Sequence, residues 1–198
     1  MPVCRKPHGA TPPNLSTEAP STDGLVLDDG DASSQWLSGV RVLELDLDRP
    51  QLVDLRLDEC DLSAITANGF GMRRVAMRGT RLRGVALSKG QYDDGLLEDC
   101  TTDEFSMRFS GLRNVVFRNC DLTGADFYQA GFDHVTFEGC RLRTARFHAV
   151  SIKCLRISNC DLSGVVGALD LKGAVVDIAD LPSLAPSLAG EVGIELTD

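Results

Sequence analysis

The chain is poor in the residue types that catalysis or a bound cofactor would require. Among 198 residues there are three histidines, one tryptophan and two tyrosines, and aromatic residues make up 6%. His8 stands near the N-terminus, and His134 and His148 fall on different sides of the repeat set out below, so no Ser/His/Asp or Cys/His constellation is suggested. No Gly-rich phosphate loop and no metal-ligand motif is present. No apolar run follows Arg5 and Lys6, so the start does not read as a signal peptide, and nothing approaches the length of a membrane span. Basic residues are outnumbered by acidic ones, 20 to 29, for a net charge of -9. That balance disfavours nucleic-acid phosphates and anionic lipid, which reward clustered Lys and Arg. Seven cysteines, an odd number without a secretion signal, favour reduced thiols over a disulfide framework. The expectation is a cytoplasmic protein with no catalytic residue, metal, cofactor, membrane or direct nucleic-acid partner.

What the sequence does hold is a period of five. From Leu37 every fifth residue is apolar through Val42, Leu47, Leu52, Leu57, Leu62, Ala67, Met72 and Met77, and so on to Phe147, Ile152, Ile157 and Leu162, with Thr102 the plain exception among twenty-six positions. An amphipathic helix needs spacings of three and four, and a half-buried strand alternates by two. Two residues ahead of these sits a smaller inward candidate, including Val75, Val85, Val115, Ala125, Ala130, Val135 and Ala145.

The best-formed units read CDLTG (120–124), ADFYQ (125–129), CRLRT (140–144) and CDLSG (160–164). They resemble the A(D/N)Lxx unit of the pentapeptide-repeat family, over roughly residues 37–177. The resemblance implies an all-β fold, a right-handed quadrilateral β-helix in which four units make one coil of about twenty residues. Cys60, Cys100, Cys120, Cys140 and Cys160, with Thr80 in the gap, then form one inward column with a spacing of ~4.8 Å. A collinear column lacks the tetrahedral convergence of a zinc site, so packing of a small, soft side chain is the expected role. Cys4 lies in the tail and Cys154 at an outward position.

Residues 1–36, rich in Pro, Ser, Thr, Gly and Asp, read as a flexible tail and N-cap, 37–177 as the β-helix and 178–198 as a helical cap. The register slips by one after Leu162, with Leu171 and Val176 as the next centres. Asp180 serves as N-cap, Leu181, Leu184, Ala185 and Leu188 form an apolar face, and Pro186 should break or kink the helix. The family resemblance implies that such a helix caps the rod and can pair two copies into a homodimer.

The resemblance also raises a partner, since known members that confer quinolone resistance mimic DNA and bind DNA gyrase. Mimicry requires an even negative surface. Residues 37–177 instead carry eighteen basic and twenty acidic residues, and the blocks alternate in sign from coil to coil. The columns Arg73, Asp93, Arg113, Asp133, Lys153 and Arg78, Glu98, Arg118, Glu138 switch sign at every step, which penalises a slipped register. A protein partner is expected, with gyrase one reading and a scaffold unrelated to DNA topology the other. Residues 90–105 break the interior rule at Gly90, Tyr92, Gly95, Thr102 and Phe105 and hold the strongest acidic block, so Asp93, Asp94, Glu98, Asp99, Asp103 and Glu104 are the candidate partner-binding residues. The competing reading of this coil is local repacking, with Tyr92 filling the space left by the glycines.

Overall fold

The computed structural model describes residues 10–15 and 19–197. Cys4 and His8 lie outside them. The elements run β1 (Ala32–Ser38), β2 (Asp46–Asp48), β3 (Gln51–Asp58), β4 (Thr66–Asn68), β5 (Gly71–Arg78), β6 (Ala86–Ser88), β7 (Gln91–Glu98), β8 (Gly111–Arg118), β9 (Gly131–Glu138), β10 (Ser151–Ser158), β11 (Val175–Val176) and α1 (Leu181–Glu191).

Pairing between the strands is parallel and, from β1 to β10, advances by twenty residues per coil apart from a shift at Cys154. Leu52 pairs with Met72, Met72 with Tyr92, Tyr92 with Leu112 and Leu112 with Phe132. The order β1-β3-β5-β7-β8-β9-β10-β11 makes two adjacent sides of the quadrilateral β-helix, because each eight-residue strand spans two five-residue units. The sheet β2-β4-β6 and a row of single bridges, such as Thr101 with Asp121 and Asp126 with Arg146, make the other two. Between these sides the backbone turns at a residue of positive φ, which recurs every fifth position from Ser34 to Gly164. Most of these corners are not glycine, so the left-handed conformation is held by the hydrogen bonds of the stacked coils against its intrinsic cost. Cys154 is the one corner absent from that series.

The period of five turns the large apolar residues inward and close-packs them. Phe117 stacks on Phe137 at 4.8 Å and Phe127 on Phe147 at 5.3 Å, with further rings meeting edge to face. In the N-terminal half Leu, Val and Met leave an apolar internal cavity of about 70 Å³. Val42, Leu47 and Leu52 are only partly buried there.

Of the N-terminal segment, Leu25 and Leu27 pack against the core, and Ser21 pairs with Leu37. At the other end Val176 pairs with Ile157, which is the one-residue slip, and Leu171 is buried. The helix departs from its sequence reading in three ways. It runs unbroken through Pro186, because Pro182 and Pro186 both face solvent and the carbonyl left without an N–H donor can be hydrated. Leu184 is buried and Leu188 packs on the core, whereas Leu181 and Ala185 are exposed. Asp180 holds the N-cap position without a side-chain cap bond, while Asp177 accepts from the Ala179 N–H at 3.2 Å. The far end is tied down by Glu191, whose carboxylate accepts from the N–H groups of Gly167, Ala168 and Leu169 at 2.7–2.9 Å.

Phe127 touches five rings and is fully buried. Phe127→Ala should cost about 3–5 kcal/mol in denaturant unfolding, and Leu52→Ala, in the loosely filled half, well under that.

Candidate functional site

The six acidic candidates follow one coil around the rod and do not share a face. Asp93 and Asp94 lie on the side and corner of β7's first half, Glu98 and Asp99 on the next, and Asp103 and Glu104 on the third. Four of them have basic or amide neighbours one coil away. Asp93 pairs with Arg113 at 3.1 Å, Asp94 accepts from Asn114 at 3.1 Å, and Asp103 pairs with Arg83 at 3.5 Å. Glu98 is clasped from both sides, by Arg118 at 3.0 Å and Arg78 at 2.9 Å, and these hydrogen bonds hold its carboxyl below the usual range despite partial burial. Asp99 and Glu104 are exposed and form no ion pair among the described residues.

The ladder continues from Arg118 to Glu138 at 3.1 Å, and Lys153 reaches Asp133 at 2.7 Å. Parallel stacking puts residues n and n+20 side by side, so alternation in sequence becomes a line of ion pairs in space. His134 and His148 sit apart, beside Asp133 and Asp170 respectively.

The irregular coil is a solved packing problem. Tyr92 is buried, its hydroxyl donates to the Val75 carbonyl at 2.8 Å, and its ring occupies the space a Cβ on Gly95 would need. Gly90 is likewise required by the ring of Phe70. Thr102 donates its hydroxyl to the Asp121 carbonyl at 2.7 Å, and Phe105 packs edge to face on Phe127. Each departure from the repeat thus has a partner in its own or a neighbouring coil.

The cysteine column is present and buried, and its thiols are committed to carbonyls. Cys120 lies 3.4 Å from the Leu97 carbonyl and 3.3 Å from that of Arg118. Cys140 repeats this with Phe117 and Glu138, and Thr80 does the same through its hydroxyl with Leu57 and Arg78. Thr80 therefore fills the gap as a hydrogen-bonding equivalent. Burial pushes the Cys60 thiol up, which keeps it protonated. The expectation of reduced thiols fails at Cys154, which is disulfide-bonded. It sits on the outside of the coil beside a register irregularity in β10, yet is only 3% exposed.

One surface feature escaped the sequence reading. The outward column Arg56, Ala76, Leu96, Val116, Thr136, Arg156 is apolar at its centre, and Ala76 and Val116 are buried. Residues 10–15 lie across its N-terminal part, where Ala10, Thr11, Pro12, Pro13 and Leu15 line a pocket with Arg56, Ala76 and Leu96. The Asn14 N–H donates to Asp54 at 2.8 Å. Asp54 is itself gripped by Arg74 at 2.6 Å, whose hydrogen bond holds the carboxyl below its ordinary range. Reading outward residues in steps of twenty would have exposed this stripe.

Residues 93–166 match the family described as Pentapeptide repeat region. Among solved structures, the chain is similar to QnrB1, a plasmid-mediated fluoroquinolone resistance protein, at 16% identity over 79% of this chain and 99% of that one, with a TM-score of 0.33. It is also similar to HetL from the cyanobacterium Nostoc sp. Strain PCC 7120, a pentapeptide repeat protein involved in heterocyst differentiation regulation. That match has 13% identity over 77% of this chain and 90% of that one, with a TM-score of 0.25. Rfr23 from the cyanobacterium Cyanothece 51142 matches at 14% identity over 71% and 86%, with a TM-score of 0.22. No curated protein matches the chain.

The ladder makes a direct demand on Arg118. Arg118→Glu would place three carboxylates in one column and should lower stability by about 1–2 kcal/mol at low ionic strength. Molar salt should shrink that loss. A salt-independent loss would show that packing of the arginine stem, and not charge, is what matters.

Proposed function

We propose, from the premise that this chain is a pentapeptide-repeat protein, that it works as a non-enzymatic, protein-binding rod in the cytoplasm. One observation carries this reading: the interior is occupied by the chain's own apolar side chains, while the outside is a lattice of stacked ion pairs that leaves residues 37–177 nearly neutral. A surface of that kind suits recognition by shape and local contacts at a protein partner, as a scaffold does. Continuous phosphate-like charge is not what it offers. No helix among the described residues is long and apolar enough to cross a membrane.

A second reading, a DNA gyrase modulator acting by DNA mimicry, draws support from the net charge of -9 and from Asp99 and Glu104, the acidic candidates that form no ion pair among the described residues. A supercoiling assay separates the two. The scaffold reading expects unchanged gyrase activity with and without a fluoroquinolone. Inhibition or drug protection that vanishes on charge reversal at Asp93, Asp94, Asp103 and Glu104 would establish mimicry instead.

The cap favours pairing of two copies. Ile178 is 84% exposed, and Leu181 and Val175 beside it are nearly half exposed. Their exposure is what a homodimer through the C-terminal end would bury. Light scattering across a concentration series should show a dimer mass that Ile178→Asp reduces to a monomer. A monomer mass at every concentration would remove the dimer.

A further inference from the structure

We propose that the side of the rod formed by residues 86–90, 106–110, 126–130 and 146–150 is a docking face for an acidic segment of a protein partner. Phe109 is its apolar anchor, and Lys89, Arg108 and Arg146 are its carboxylate-binding groups. The inference rests on the reading of the chain as a protein-binding rod and gives that rod a recognition face.

Phe109 is out of place in the repeat. It is 43% exposed, whereas the other exposed large apolar residues among those described are Val26 and Leu43, in the first coils, and residues from Val166 onward, at the capped end. Phe109 alone breaks the surface in the middle of the rod. It also occupies a corner, with a φ of 57°, where the other positive-φ residues are glycine, alanine or polar. A bulky side chain in the left-handed region carries a backbone cost, and such strain concentrates at binding and active sites. Its corner neighbours one coil away, Lys89 and Gln129, offer no ring, so stacking along the column does not account for an aromatic residue.

What surrounds it is a preformed cluster. The Phe109 ring meets Tyr128 edge to face at 5.4 Å, and the Arg108 guanidinium lies 4.9 Å from the Tyr128 ring and 5.5 Å from that of Phe109. Arg108 is therefore ordered between two rings before a partner arrives, which lowers the entropy lost on docking. Tyrosine and arginine are also among the residues that dominate binding energy at protein interfaces.

Around the cluster, cations exceed anions. This side carries Lys89, Arg108 and Arg146 against one carboxylate, Asp126. Asp126 is recessed at 15% side-chain exposure, lies 3.5 Å from Arg108 and 3.9 Å from Arg146, and accepts the Tyr128 N–H at 2.9 Å. The two guanidinium groups stand further out, at 46% and 63%. Lys89 is exposed and forms no ion pair among the described residues. In a chain of net charge -9 this is a local reversal of sign, and it selects carboxylates. Across the corner from Phe109, Gly111 and Gly131 floor an open groove of about 480 Å³, so an extended segment crossing Phe109 meets no obstruction.

Rings beside an arginine also suit the stacked bases of a single strand, but a nucleic acid needs a continuous basic track. Here the cluster is bordered by Glu104 and by Asp170, which lies 3.6 Å from His148, and the chain as a whole repels a polyanion. A short acidic peptide fits better.

The test uses the full chain and a fluorescein-labelled peptide of sequence DEFLDE, read by fluorescence anisotropy. Binding should weaken more than about tenfold in Phe109→Asn and in Arg108→Gln, and should fall as salt is raised. Asparagine tolerates the left-handed corner, so Phe109→Asn should leave the thermal midpoint unchanged or raised. A midpoint lowered by several degrees would show that the ring serves packing and would overturn the proposal. Equal binding by the wild type and both variants would overturn this face and leave the rod a protein binder. No binding by the wild type, equal binding of the charge-reversed peptide KRFLKR, or tighter binding of oligothymidylate would overturn the acidic partner, without touching the rod reading, which specifies no partner charge.

Discussion

The constraint on which this molecule depends is the closure of each coil onto the next after twenty residues, through backbone hydrogen bonds such as Asp121 N–H to Cys100 C=O and Arg141 N–H to Cys120 C=O, both 3.0 Å. Satisfying those donors and acceptors holds a left-handed corner every fifth residue, including many residues with a Cβ that would not choose it alone. Once the corners are fixed, each position in the unit has one direction. Large apolar residues meet their counterparts in the neighbouring coils, and charges meet charges.

From that register come both the interior and the exterior chemistry. Inside, Phe117 over Phe137 and Cys120 over Cys100 are consequences of identical placement in successive coils. Outside, alternation of sign becomes the Arg78, Glu98, Arg118, Glu138 ladder, in which each internal member has two oppositely charged neighbours. Each such pair contributes modestly at an exposed site, but a slip of one coil would bring like charges together, so the ladder specifies alignment more than it adds stability. The same neutralisation distinguishes this rod from a surface of unbroken negative charge.

Where the chain breaks its own rule, it does so with a compensating partner. Gly95 makes room for Tyr92, and Tyr92 brings a hydroxyl that finds Val75. Cys154 leaves the corner conformation and is disulfide-bonded on the outer surface. The first irregularity is absorbed by the core. The second lies in the wall of the rod, where the pairing of β10 with β9 shifts register around a side chain that is only 3% exposed.

The sequence by itself determined the coil. A period of five with a multiple-of-twenty cysteine column leaves no competing secondary structure, and it also set the columns of charge, since stacking follows from the period. It further supplied the one-residue slip leading to Leu171 and Val176, because a change of register is visible in the spacing of apolar residues alone. Tertiary structure decided the rest. Pro186 does not break α1, because whether a missing N–H matters depends on which face meets water. Asp180 does not cap through its side chain, because it is drawn into a buried position. The acidic residues of one coil do not make a face, because a chain that turns at every fifth residue sends neighbours in sequence to different sides. The significance of Asp54, Ala76 and Leu96 lies in contacts forty or more residues apart in the chain, between residues 10–15 and the wall of the rod, and no local pattern encodes such contacts.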